Sequence, residues 1–404
     1  MARKAKRDLT VEEQLARGPM DLPLLMLAML LLGVGLIMVM SASYATAYYD
    51  PKTDSPLAYA FAQGRFALLG VAVLYFVSRF NYQYLRGLSP ILLIFSAVLL
   101  VLVLTPLGVA NKGAQRWLHI LLFAGPTFQP SEIVKVAVIL YFASRLCVRD
   151  KRKPTKWTKR TRLGRTLNLV EKVGLMELLP YIGILGGIAL LLLMEPHLSG
   201  TILVFVGGAA VLFASGIHWG WFATGIATVA SLLAIVVKFT PYMTSRIVLW
   251  LDPWSDALGK GYQTIQSLYS IGSGGLLGRG LGKSVQKYLF LPEPENDFIF
   301  SIAVEELGFI GGILILGLFM MFVLRGYWIA LHARDRFGAL TAVGITTLFA
   351  VQVFLNIGVV TNLIPNTGIS LPFFSYGGTA LIIQLAEVGI LLSISRQIPA
   401  PKQD

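Results

Sequence analysis

Apolar runs of roughly twenty residues with few or no charges recur along most of this chain, and no other feature constrains its fold as strongly. A run of that length, coiled as a helix, crosses the ~30 Å hydrocarbon core of a bilayer. Ten such spans can be drawn, at 22–41, 58–78, 87–106, 131–148, 178–195, 199–215, 218–239, 298–324, 338–362 and 374–395. Only 14% of the 404 residues are charged, where soluble domains carry roughly 25%. The expected fold class is therefore an all-α polytopic membrane protein of about ten transmembrane helices, with a large extracytoplasmic loop between the seventh and eighth. The sixth and seventh spans are parted only by "SGIHWGW", where Gly216 and His218 suggest a tight turn. Counting the two as one would give nine spans and put the termini on opposite sides.

The first span imitates a secretory signal, with basic residues before it and the small-residue stretch "SASYATA" at 41–47 after it. Signal-peptide cores are about 7–15 residues long, and the run from Leu22 to Met40 is longer. It reads as an uncleaved first helix. With the N-terminus inside, 23 of the 34 Lys and Arg residues fall in cytoplasmic tails and loops, as the positive-inside rule requires. Both termini are then cytoplasmic, and the net charge of +13 is a topology signal rather than a nucleic-acid footprint. Three parts follow: a tail over 1–20, a membrane domain over 21–396 and a tail over 397–404. Within the membrane domain, the basic cytoplasmic loop 149–177 carries solvated charge able to touch anionic headgroups. The lone Cys147 excludes an internal disulfide and reads as a small buried hydrophobe.

Two outer loops, 107–130 and 240–297, exceed the 12–15 residues or so of a simple connector. In the second, Tyr262, Ile265, Leu268 and Tyr269 recur at helical spacing, which suggests a short amphipathic or re-entrant helix. Next comes "GLLGRGLGKS", which imitates a nucleotide phosphate loop. That motif needs a preceding strand and a glycine where this chain has Leu277, so the match fails. Its cations Arg279, Lys283 and Lys287 make a basic rim that either is solvated or holds a phosphorylated lipid headgroup.

The loop ends in three acids, Glu293, Glu295 and Asp297, at the start of an apolar helix. Asp297 can serve as a helix N-cap or as a functional acid. Glu305 and Glu306 lie further along the same span, and acids in a span suggest a functional site or a buried polar pair. At the start of the fourth span, Glu132 and Lys135 sit three apart on one helical face. Arg116 and Trp117 upstream add a cation and an aromatic wall. Arg65, Glu387, the Glu195-Pro196-His197 break and Asn356, Asn362 and Asn366 are further polar interruptions. The four histidines lack metal-ligand spacing.

The motifs "GAQRWL", "FQPSEIVK", "EPHLSG", "GKSVQKYLFLPEPENDFIFSIAVEELG" and "TGISLPFFSYGG" resemble the SEDS family (shape, elongation, division and sporulation) over roughly 20–396. They look more like its FtsW-type division and sporulation branch than its elongation branch. The resemblance implies a ten-helix glycosyltransferase that polymerises lipid II into peptidoglycan glycan strands outside the membrane. It carries the family's essential aspartate onto Asp297, although Asn296 stands where a Thr is usual. It also carries pocket residues onto Trp117, Glu132, Lys135, Arg246 and Glu306. In that chemistry Asp297 takes a sugar hydroxyl's proton as general base. Arg116, Arg246, Lys283 and Lys287 are cations for the substrate and its leaving pyrophosphate, which can also draw a divalent cation such as Mg or Mn. The family implies a class B penicillin-binding transpeptidase and other division proteins as partners, beside lipid II, the growing strand and membrane lipids. Two other classes use the same polar features: a lipid II flippase, and a division scaffold without catalysis.

Overall fold

Local chemistry sets where the apolar runs start and stop. Asp21 accepts the Leu24 N–H at 2.9 Å and Pro23 occupies the first turn, so helix α1 (Leu22–Tyr49) begins sharply. The computed structural model describes residues 18–51, 53, 55–111, 114–119, 127–148, 175–225, 227, 231 and 247–398. Arg246 and most of the expected seventh span lie outside them.

The further helices are α2 (Ala58–Arg79), α3 (Gln83–Val103), α4 (Pro130–Leu146), α5 (Leu175–Met194), α6 (Leu198–Ala214), α7 (Tyr262–Gly274), α8 (Ile299–His332), α9 (Arg336–Val360) and α10 (Gly378–Ser395). Among the described residues seven helices, α1–α3, α5 and α8–α10, are long and apolar enough to cross a membrane. The chain is a multi-pass membrane protein. Helix α7 begins at Tyr262, with Ile265 buried, where the helical spacing was noted. At 107–130, where no strand was expected, there is a small antiparallel sheet of β1 (Gly108–Asn111), β2 (Ala114–His119) and β3 (Thr127–Phe128). Leu118 of β2 packs on Leu99 and Val103 of α3, which fixes the sheet over the end of that helix.

Helices α9 and α10 are the most enclosed, and α2 is the most open to lipid. Gly70 of α2 meets Leu385 of α10, and Gly389 of α10 meets Leu74 and Val77 of α2, so the missing side chains let this pair approach closely. Phe322, Phe349 and Phe373 meet at 5.2–5.7 Å between centroids and tie α8, α9 and the segment before α10 together. Near the two ends of the described chain, Gly18 N–H donates to the Arg396 carbonyl at 2.7 Å, and Arg396 Nε donates back to the Gly18 carbonyl at 3.2 Å.

Helix α8 is two helices in series. Gly308 (φ 75°, ψ −178°) breaks it in a region of backbone space open essentially to glycine alone. The break frees backbone groups, and the 275–280 segment satisfies them. Arg279 and Gly280 N–H groups donate to the carbonyls of Glu305 and Glu306 at 3.0 and 2.9 Å, and those of Phe309 and Ile310 donate to Gly275 and Leu276 at 2.9 and 3.2 Å. The left-handed Gly278 (φ 78°) lies against this break, where a Cβ would overlap Glu306 O and Gly308 N. The glycine run therefore docks backbone on backbone. Residues 309–332 alone rise about 36 Å, enough to cross the hydrocarbon. Glu305 and Glu306 thus precede a stretch that is long enough to span by itself.

Candidate functional site

Several helix starts and loops converge on a cavity of about 750 Å³. The starts of α4, α6 and α10 have no side-chain cap bond. First-turn residues of all three line the cavity. Uncapped first-turn N–H groups carry the positive end of the helix dipole, a setting that favours an anion.

Asp297 lines the cavity from the irregular segment leading into α8. The N-cap position itself belongs to the next residue, Phe298, whose side chain makes no cap bond. The carbonyls around Asp297 are held individually. Tyr376 N–H donates to Glu295 O at 2.8 Å, Ser375 Oγ to Asn296 O at 2.8 Å, and Asn356 Nδ2 to Asp297 O at 2.7 Å. Gly368 comes so close that a Cβ on it would sit 3.2 Å from Asp297 Oδ2. Glu295 is buried, accepts from Thr46 Oγ1 at 3.2 Å and raises the phenol pKa of Tyr376 beside it, after burial itself.

Arg116 and Trp117 also line the cavity, from β2. The Arg116 guanidinium donates to the Glu195 carbonyl at 3.3 Å and to that of Pro196. Glu132 reaches the cavity from the first turn of α4 and pairs with buried Lys135 at 2.7 Å, so both expected members of "PSEIVK" lie together. In the turn between α5 and α6, burial pushes the Glu195 carboxyl up to about 8, against the pull of Arg116. Burial, then Arg116 and Lys135, push the His197 imidazole down to about 3. His197 is thereby a neutral hydrogen-bonding ring, 3.1 Å from Gln129 Nε2.

The other expected residues lie elsewhere. Lys283 is exposed on the loop between α7 and α8. Lys287 is buried and pairs with Glu306 at 3.0 Å, also donating to Ser41 Oγ and Gly282 O at 3.0 and 2.7 Å. Glu306 accepts from Ser41 Oγ at 2.6 Å, and Glu305 from Ser284 Oγ at 2.6 Å and Val285 N–H at 2.9 Å. None of these four lines the cavity. Arg246 is outside the described residues. Among the described residues no group of three His, Cys, Asp or Glu is placed to hold a metal ion.

Sequence reasoning missed Tyr59, Tyr376, Ser375 and Gly368 as cavity residues. Tyr59 and Tyr376, whose rings meet at 5.0 Å, come from segments remote in sequence, and no local spacing signals such a pair.

The sequence matches the family described as "Cell cycle protein", of FtsW, RodA and SpoVE type, over residues 22–399. It is 42% identical to stage V sporulation protein E of Bacillus subtilis, covering 93% of this chain and 97% of that one. It is 39% identical to a probable peptidoglycan glycosyltransferase FtsW of Geobacter metallireducens, covering 94% and 95%. A solved chain from a peptidoglycan synthase complex, described as coordinating polymerization and crosslinking, superposes with a TM-score of 0.71 at 28% identity, covering 95% of this chain and 99% of that one. The rod shape determining protein RodA of Thermus thermophilus gives a TM-score of 0.64 at 26% identity, covering 95% and 98%. With nearly its whole length matched in sequence and fold, this chain belongs to the SEDS family of FtsW, RodA and SpoVE.

Proposed function

We propose that this chain is a peptidoglycan glycosyltransferase that polymerises lipid II at the outer face of the cytoplasmic membrane during cell division, with Asp297 as the general base. The observation that carries this reading is the cavity, which Asp297 lines together with Arg116, Trp117, Glu132 and the uncapped starts of α4, α6 and α10. The names borne by its FtsW relatives support the reaction class.

The acceptor sugar's hydroxyl attacks the anomeric carbon of the donor, and its proton passes to the Asp297 carboxylate. The bond from that carbon to the lipid diphosphate breaks, and the diphosphate leaves with the electron pair. Direct displacement of this kind inverts the anomeric carbon. Arg116 and the helix starts neutralise charge as it develops on the leaving group. Trp117 offers a sugar ring a flat apolar face. The Glu132–Lys135 pair shapes the wall near the leaving group, and Arg246 and Lys283 are further cations for the substrate's approach, whereas the buried Lys287 is held by Glu306. The lipid tails lie in apolar grooves between helices. A class B penicillin-binding transpeptidase is the partner that crosslinks the product, with other division proteins at the septum, and both tails are cytoplasmic.

The test is glycan synthesis from lipid II by the purified chain with its transpeptidase, crosslinking blocked, comparing wild type with Asp297→Ala. Polymer from the first and none from a folded second is expected. Equal polymer from both removes Asp297 from the chemistry. No polymer from either, with lipid II translocated across vesicles by wild type, supports a flippase instead.

A further inference from the structure

We infer that Asn356 is a positioning residue, which holds Asp297 at a fixed distance from the opposite cavity wall by bonding both backbones at once. This rests on the reading of Asp297 as the base. Residue 297 lies in irregular backbone just before α8, where no helical or strand ladder fixes it. Its carboxylate can be no better placed than its own main chain. Asn356 projects from α9 and is 0% exposed, so water does not compete for its bonds. Its Nδ2 donates to Asp297 O at 2.7 Å and to Ile369 O at 2.7 Å. Both amide hydrogens are used, and both acceptors are carbonyls that would repel Oδ1, which fixes the orientation of the amide.

Asp297 and Ile369 both line the cavity. One side chain on a packed helix therefore sets the gap between the acid and the 368–371 wall, where a Cβ on Gly368 would stand 3.2 Å from Asp297 Oδ2. Ser375 Oγ and the Tyr376 N–H complete the clamp on the two preceding carbonyls. Ser375 Oγ also accepts from Leu371 N–H at 2.7 Å, so it too ties the acid segment to that wall. Displacing a reacting group by about 1 Å can cost 10²-fold in rate. The clamp acts on the rate at which bound substrate reacts, not on how well it binds.

The experiment measures kcat and KM for lipid II polymerisation by the full chain with its transpeptidase, for wild type, Asn356→Leu, Ser375→Ala and Asp297→Ala. Asn356→Leu keeps the side chain's size and removes both donors. It should lower kcat at least tenfold with KM within twofold, and Ser375→Ala should lower kcat severalfold in the same way. Wild-type kcat in a folded Asn356→Leu protein, or a loss carried by KM alone, overturns the inference. Should Asn356→Leu not be recovered folded, Ser375→Ala decides: wild-type kcat there overturns it. Asp297→Ala separates the two layers. If it polymerises like wild type, the base reading falls; if it is inactive while Asn356→Leu is fully active, only the positioning inference falls.

Discussion

Breaking the Lys287–Glu306 pair should cost stability and leave substrate affinity intact. Both side chains are out of solvent, 3% and 0% exposed, at 3.0 Å separation. Removing one partner of such a pair strands the other charge in low dielectric, which typically costs about 3–5 kcal/mol. Lys287→Met leaves the Glu306 carboxylate with Ser41 Oγ and the Ser284 N–H, so its loss should fall near the low end, about 3 kcal/mol. Glu306→Gln leaves an ammonium held by Ser41 Oγ and the Gly282 carbonyl, and a similar loss follows. In the double variant Lys287→Met/Glu306→Gln neither charge remains, so its loss should be smaller than the sum of the singles by about 2 kcal/mol or more. The assay is the unfolding free energy in mixed micelles, read beside KM for lipid II on the folded fraction. Singles of wild-type stability with a raised KM would refute this reasoning and give the pair a substrate-binding role.

At the helix break, Gly308→Ala puts a Cβ against Leu276, Leu277 and Gly278 in a backbone region that costs about 1–3 kcal/mol; thermal unfolding in detergent should fall, and an unchanged midpoint would contradict the docking described. Gly368→Ala, at φ 66° with its Cβ 3.2 Å from Asp297 Oδ2, should lower kcat about tenfold, the scale expected when a reacting group is displaced by a fraction of an ångström, as steady-state polymerisation would show. Glu195 gives a pH dependence: its folded carboxyl, raised from 4.5 to about 8, keeps a proton that the unfolded chain has already released. The stability it contributes is full below about pH 4.5 and is lost as pH rises through about 8. Glu195→Gln should therefore flatten the alkaline side of a melting-temperature profile, and an unaltered slope would assign that slope to other groups.

The membrane helices were legible because a run without charges has few alternatives in a chain this apolar, but their ends were less so. Helix α1 continues to Tyr49 because Ser41, Ala42, Ser43, Ala45 and Ala47 are small and pack inside, though they look like a cleavage site. Helix α8 runs past 324 because Arg325 is no stop signal: its guanidinium pairs with Asp21 at 2.7 Å and lies over the Trp328 ring at 4.1 Å. The β1–β3 sheet was hidden because its segment is apolar for packing on α3, and apolar content alone does not separate strand from loop. At the site, "QRWL", "PSEIVK" and Asp297 were visible as polar interruptions of apolar sequence. Lys287 and Glu306 were visible for the same reason, and the linear pattern did not distinguish a charge facing a cavity from one facing its own counter-ion. The Asn356 and Ser375 tethers join segments 59 and 79 residues apart, a relation only the fold creates.

The reciprocal bonds between Gly18 and Arg396 have an arithmetical consequence. Two backbone groups 2.7 Å apart cannot lie on opposite faces of a bilayer. The chain between them must return to the side from which it set out, so it traverses the membrane an even number of times. Parity alone then excludes an odd number of crossings, nine among them.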